Sequence, residues 1–145
     1  MIEFELMNKN NIDEIYQIES ECFQTPWPRS AFFDELKNPH AIYILARLNG
    51  QAAGFAGMWH IINEGHITNL AVAENFRRRG VGDGLVKELI RIAKSMDMIG
   101  LTLEVRIGNI PGQKLYFGNG FTAEGIRKNY YTDTKEDAIV MWKYF

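Results

Sequence analysis

Arg77-Arg78-Arg79-Gly80-Val81-Gly82 lies between an apolar, strand-like stretch (His66 to Ala73) and an amphipathic, helix-like stretch (Val81 to Met98). Read together, the three segments predict a strand, a glycine turn and a helix start. Glycines let the backbone turn sharply and approach a ligand, and the first amides of a helix are unpaired and carry the positive end of its macrodipole. The segment is therefore a candidate anion cradle. It is not a P-loop, because Asp83 and Gly84 stand where Lys and Ser/Thr are required. Nor is it a dinucleotide fingerprint, because Leu85 replaces the last glycine. A pyrophosphate bound without metal fits what remains, although a solvated basic turn at Arg77, Arg78 and Arg79 is the plainer alternative.

Outward from the cradle, hydrophobic periodicity orders the chain. Ile2 to Met7 is a short strand, and Asn10 or Asn11 caps a helix carrying Ile12, Ile15, Ile18 and Cys22 at helical spacing. Pro26-Trp27-Pro28 breaks that helix, and Ser30 to Leu36 makes a second, stopped at Asn38-Pro39. Asn49-Gly50 joins Ala41–Leu48 to Gln51–Ile62 as a hairpin, and Asn63-Glu64-Gly65 is expected to turn into His66–Ala73. In the helix that follows, Leu85, Leu89, Ile92 and Met96 line one face. Leu101 to Ile107 must then run parallel to the strand before that helix, because a crossover helix joins the two. Asn109 caps a last helix with Pro111 in its first turn and Gly120 closing it, and Phe121–Tyr131 pairs with Ala138–Tyr144.

The 145 residues are 46% hydrophobic and 12% aromatic, enough for one domain over residues 1–145 with a substantial core. Sixteen basic residues against 18 acidic ones give a net charge of −2, which offers no nucleic-acid footprint and suits a basic peptide or neutral amine as partner. Cys22 is the single cysteine, so no internal disulfide forms. With no signal-like apolar stretch after Met1, this points to the cytoplasm. No stretch reaches membrane-spanning length. His40, His60 and His66 lack metal-ligand spacing, so no metal is expected.

Arg-x-x-Gly-x-Gly after an apolar strand, with Leu103-Glu104-Val105-Arg106, Asn109, Leu115-Tyr116 and Asn119-Gly120-Phe121, resembles the GNAT acetyltransferase superfamily over nearly the whole chain. Pro26-Trp27, Arg127-Lys128-Asn129-Tyr130-Tyr131 and Glu136-Asp137-Ala138-Ile139 are most similar to its ribosomal-protein-alanine N-acetyltransferases. The resemblance implies a mixed α/β (α+β) sheet of about seven strands with four helices, in the order β-α-α-β-β-β-α-β-α-β-β. It implies acetyl-CoA as cosubstrate, with the pantetheine arm between two splayed strands at Leu70, Ala71 and Val72. The pyrophosphate would rest on the backbone of Arg77, Arg78, Arg79, Gly80, Val81, Gly82, Asp83 and Gly84. Glu104 becomes the general base, Tyr116 the general acid toward the coenzyme sulfur, and Asn109 a coenzyme contact.

The residues alone leave other readings open. Period-two alternation sends Leu101, Leu103, Val105 and Ile107 to one face and Thr102, Glu104 and Arg106 to the other. Glu104 is then either an ordinary polar residue or a base whose pKa partial burial raises toward neutrality. Tyr116 is either core or, as a phenol protonated at neutral pH, a proton donor. Trp27, Tyr130 and Tyr131 line an acceptor groove or cap the core. Gly108 and Gly112 replace the serine and alanine of the family's Arg-x-Ser-Asn-x-x-Ala pattern and are expected to loosen the helix start. Cys22 is read as a small buried hydrophobe.

The expected acceptor is a protein N-terminus, the alanine of the eighteenth small-subunit ribosomal protein by resemblance. An α-amine near pKa 8 costs about 1 kcal/mol to neutralise at pH 7, against about 4.5 kcal/mol for a lysine near 10.4. The competing readings are transfer to a lysine or small-molecule amine, and a noncatalytic CoA-binding module.

Overall fold

Asn49 and Gly50 both adopt left-handed backbone, with φ of 52° and 82°, the geometry of a two-residue hairpin turn. In the computed structural model, which describes all 145 residues, they join β2 (Ala41–Leu48) to β3 (Gln51–Ile61). β1 (Ile2–Leu6) pairs antiparallel with β2, and β4 (Glu64–Val72) with β3. The β3–β4 turn is Ile62-Asn63 rather than the expected Asn63-Glu64-Gly65, since Ile61 already pairs with Glu64. Ile62 takes the left-handed position (φ 58°) and is 92% exposed. Gly65 serves packing instead: a β-carbon there would lie 2.5 Å from Leu101 Cδ2.

Helices cover both faces of the sheet. α1 (Ile12–Cys22) and α2 (Arg29–Lys37) sit over a cluster containing Ile12, Ile15, Phe32, Tyr43, Leu45 and Phe55. α3 (Val81–Ser95) covers the other, with Ile44, Met58, Leu85, Leu89, Leu101 and Leu103. Residues Tyr43 to Ala46 of β2 are consequently buried on both sides, which is why that strand reads as an unbroken apolar run. Each large side chain so buried contributes roughly 1.5–3 kcal/mol.

Asn11 occupies the N-cap of α1, but its side chain bonds Glu5 and the Leu6 carbonyl instead of capping. α3 ends at Ser95, short of Met98. Its buried stripe is Val81, Leu85, Val86, Leu89 and Ala93, while Met96, which follows the last helical residue as its C-cap, is 41% exposed.

β5 (Gly100–Arg106) lies parallel to β4, but the two are paired only at Gly65–Leu101 and His66–Thr102. Beyond His66 they part. The far edge of β5 is taken along its whole length by β7 (Ala138–Tyr144), and β6 (Thr122–Arg127) forms the sheet's outer edge. The sheet order is β1-β2-β3-β4-β5-β7-β6. With α4 (Ile110–Gly118) between β5 and β6, the element order is the expected one. β6 stops at Arg127 rather than Tyr131, and Phe121 joins the core.

Candidate active site

The splay between β4 and β5 opens a cleft of about 510 Å³ whose lining includes Trp27, Leu70, Glu104, Asn109, Tyr116 and Tyr131. Alternation along β5 buries Leu101, Leu103 and Val105 in the α3-side core and turns Glu104 the other way. The Glu104 side chain is only 9% exposed. His66, the last β4 residue paired to β5, places Nε2 2.9 Å from Glu104 Oε1, and the Tyr130 hydroxyl donates to the same oxygen at 3.3 Å. A carboxylate only accepts, so His66 Nε2 carries the hydrogen. Glu104 Oε2 takes no hydrogen bond within the chain and keeps access to the cleft.

These donors reverse the expected pKa. The His66 hydrogen bond outweighs burial and, helped by the charges of His66 and Arg127, holds Glu104 below its ordinary value. Glu104 is thus ionised at neutral pH, a proton acceptor of modest basicity.

Tyr116 packs edge-on against Phe121 with ring centroids 5.7 Å apart. Its hydroxyl has no partner in the chain, and burial pushes its pKa up to about 12, so it stands at the cleft as a protonated donor. Tyr131 is fastened beside it by Arg106, whose guanidinium lies 3.9 Å from the ring centre while pairing with Asp133 and Glu136. Trp27 stacks at a tilt on Phe32, 5.7 Å away.

Asn109 caps α4 by accepting from the Gly112 amide at 3.0 Å. A β-carbon on Gly112 would lie 2.6 Å from Asn109 Nδ2, so the glycine makes room for the cap rather than loosening the helix. Gly108 likewise gives its amide to Glu136 Oε2 at 3.3 Å, where a β-carbon would stand 2.8 Å from that oxygen.

The glycine turn lies outside the lining of the Glu104 cleft, and Val72 and Leu115 stand beside Gly82. Left-handed residues Arg78 (φ 62°) and Gly80 (φ 80°) shape it. The amides of Arg78, Arg79, Gly80, Val81, Gly82 and Asp83 have no partner within the chain, whereas Gly84 donates to the Gly80 carbonyl at 2.9 Å and drops out of the set. Six free amides at a helix start form an anion nest. The arginine side chains are less available than expected. Arg77 Nε donates to the Val72 carbonyl at 3.1 Å, and the Arg79 guanidinium lies 5.8 Å from the centre of the Phe76 ring. The Asp83 carboxylate is engaged by Lys87 and Asn119.

Cys22 is half-buried at the cleft rather than in the core, its thiol donating to the Val72 carbonyl at 3.4 Å. That carbonyl is therefore occupied; Ala71 turns its carbonyl toward Gly54 of β3, so the edge of β4 left free before Val72 lies at Leu70. Two site residues escaped the sequence reading. Nothing local pairs His66 with Glu104, 38 residues away. Glu19 did leave a signal: it falls on the apolar stripe of α1, four residues after Ile15, and is 3% exposed.

The model of the acetyltransferase (GNAT) family matches residues 12–121. The chain belongs to the GNAT acetyltransferase family. Among similar GNAT proteins, one from Escherichia coli K12 named [ribosomal protein bS18]-alanine N-acetyltransferase is 32% identical over 93% of this chain and 92% of its own. A Bacillus subtilis relative, provisionally given the same name, is 40% identical over 94% of this chain and 91% of its own. The crystal structure of the E. coli ribosomal-protein-S18-alanine N-acetyltransferase superposes with a TM-score of 0.91 at 30% identity, covering 99% of this chain and 94% of that one. A GNAT N-acetyltransferase has to bind its acyl donor, bring an amine to it, and manage two protons. The cleft presents a carboxylate, Glu104, and a phenol, Tyr116.

Proposed function

We propose that this chain transfers acetyl from acetyl-CoA directly, in a ternary complex, to the N-terminal α-amine of a protein, namely the N-terminal alanine of the small-subunit ribosomal protein bS18. The observation that carries the reading is the pairing in one cleft of an ionised carboxylate, Glu104, with a protonated phenol, Tyr116. The residues present fit acetyl-CoA: six free amides suit a pyrophosphate, and the unpaired β4 edge at Leu70 suits an extended amide-bearing arm. When bound there, acetyl-CoA supplies an acetyl thioester.

The chain's own groups do the rest. Glu104 Oε2 takes a proton from the acceptor ammonium, while His66 and Tyr130 fix Oε1 and so aim the free oxygen. Tyr116 donates its hydroxyl proton to the departing sulfur. Trp27 and Tyr131 bound the space in which the acceptor lies. Because Glu104 is held low, a lysine near pKa 10.4 is further beyond its reach than an α-amine near 8. The names of the E. coli and B. subtilis relatives support the ribosomal acceptor.

Thiol release from acetyl-CoA tests the reading with a peptide carrying the bS18 N-terminus and the same peptide blocked at its α-amine. Turnover with the free peptide alone is expected. Equal turnover with both, through an internal lysine, would favour the side-chain alternative.

A further inference from the structure

Glu19 Oε1 is a buried side-chain oxygen with no hydrogen-bond partner in the chain. The helical spacing of α1 carries Glu19 inward with Ile12, Ile15 and Ile18, leaving the residue 3% exposed. Its other oxygen, Oε2, accepts the Trp27 amide at 2.9 Å and so pins the segment between α1 and α2. Neither oxygen is paired with a cationic side chain. A carboxyl group left this way is costly, because burial removes its water and only one full donor replaces it. Burial accordingly raises its pKa. Of the neighbouring polar groups, the Tyr43 hydroxyl is committed to Asn69 Oδ1 at 3.1 Å and meets Thr68 Oγ1 at 3.1 Å, while the Asn69 amide faces Glu19 and, with the Trp27 amide, opposes the rise in its pKa. Glu19 nonetheless lines the same cleft as Glu104, Trp27 and Tyr131. An N–H donor, and best a cationic one, would complete it.

We propose that Glu19 is the recognition residue for the acceptor's protonated amine, Oε1 accepting one ammonium N–H in the cleft. This rests on the reading of the chain as an N-terminal acetyltransferase. An ammonium has three N–H groups, so Glu19 can hold one while Glu104 removes another: that N–H bond breaks, an O–H bond forms at Glu104 Oε2, and the nitrogen keeps the electron pair. The two carboxylates thereby divide the work, Glu19 binding the cation and Glu104 consuming it.

Glu19→Gln tests this, because the amide oxygen can still accept the Trp27 N–H while the charge toward the cleft is lost. With a free N-terminal peptide, KM is expected to rise about tenfold or more, the scale of a hydrogen bond to a charged group. kcat and the acetyl-CoA Kd should stay within about twofold. The acetylated product peptide, which has no ammonium, should bind both proteins alike. Glu19→Asp keeps the charge and should hold KM within about threefold, which also covers the case of a misfolded glutamine variant. An unchanged KM in Glu19→Gln, an equal loss of product-peptide affinity, or a full KM defect in Glu19→Asp would each overturn the assignment. Wild-type protein that acetylates no N-terminal amine fails at the level of function and takes the assignment with it. Wild-type activity beside an unaffected Glu19→Gln variant defeats the assignment alone.

Discussion

His66 Nε2 donates to Glu104 Oε1 across 2.9 Å, joining the last paired residue of β4 to the middle of β5 at the mouth of the splay. The contact fixes one carboxylate oxygen and leaves the other to the cleft. It also lowers Glu104's pKa, so the ionised form is favoured in the folded protein. The stability linked to that shift is present above the ordinary carboxylate range near 4.3 and is lost as pH falls through the lowered folded value.

His66→Leu removes the donor and keeps bulk. Glu104 should then titrate higher, and the acid limb of the kcat/KM profile should move to higher pH, with acetyl-CoA affinity unchanged. A pH–rate profile superimposable on that of the wild type would mean that His66 does not govern the base.

Tyr116→Phe deletes one oxygen from a ring whose packing on Phe121 is otherwise preserved. With no partner in the chain, the hydroxyl contributes little to stability. If it protonates the leaving thiolate, kcat should fall by roughly 10- to 1,000-fold with the acceptor KM nearly unchanged. Single-turnover kinetics at normal rate in the folded variant would leave that proton to solvent.

Gly82→Val separates folding from binding at the cradle. A β-carbon there lies 3.4 Å from Leu115 Cδ2 and 3.6 Å from Val72 Cγ2, ordinary contact distances, so the helix start can accept one. The added methyls crowd the free amides. Calorimetry should show acetyl-CoA affinity reduced at least about tenfold, while the melting temperature changes little. Unchanged affinity would remove the cradle from the account.

Much of this was legible because its determinants are local. Asn49-Gly50, the crossover helix after Gly80 and the alternation of Leu101, Leu103 and Val105 each announce themselves within a few residues. The β3–β4 turn differs from expectation because Gly65 looks like turn chemistry, whereas its role is to let Leu101 approach. The stripe of α3 differs at its end, since nothing in the spacing of Ile92 and Met96 tells that the helix stops at Ser95. Alternation gives only the face on which Glu104 lies and the family resemblance gives its role; neither reveals its lowered pKa, because His66 meets it only through the parallel register of β4 and β5. Arg77 likewise points back to Val72 for a reason set by tertiary packing.

Asn109→Ala probes the remaining element of the site. Loss of the bond to the Gly112 amide should cost about 1 kcal/mol of stability by denaturant unfolding. Gly112→Ala should cost a similar amount, because its β-carbon displaces the same asparagine. If the glycine variant is as stable as wild type, the cap tolerates crowding and the glycine has another purpose.

The most direct test of the account is tandem mass spectrometry of a peptide with the bS18 N-terminal alanine and an internal lysine, after incubation with acetyl-CoA and either wild-type protein or Glu104→Gln. One acetyl group on the alanine nitrogen and none on the lysine is predicted for the wild type. The variant should act about 100-fold more slowly or worse at neutral pH. Acetyl on the lysine, or wild-type rates from Glu104→Gln, would contradict it.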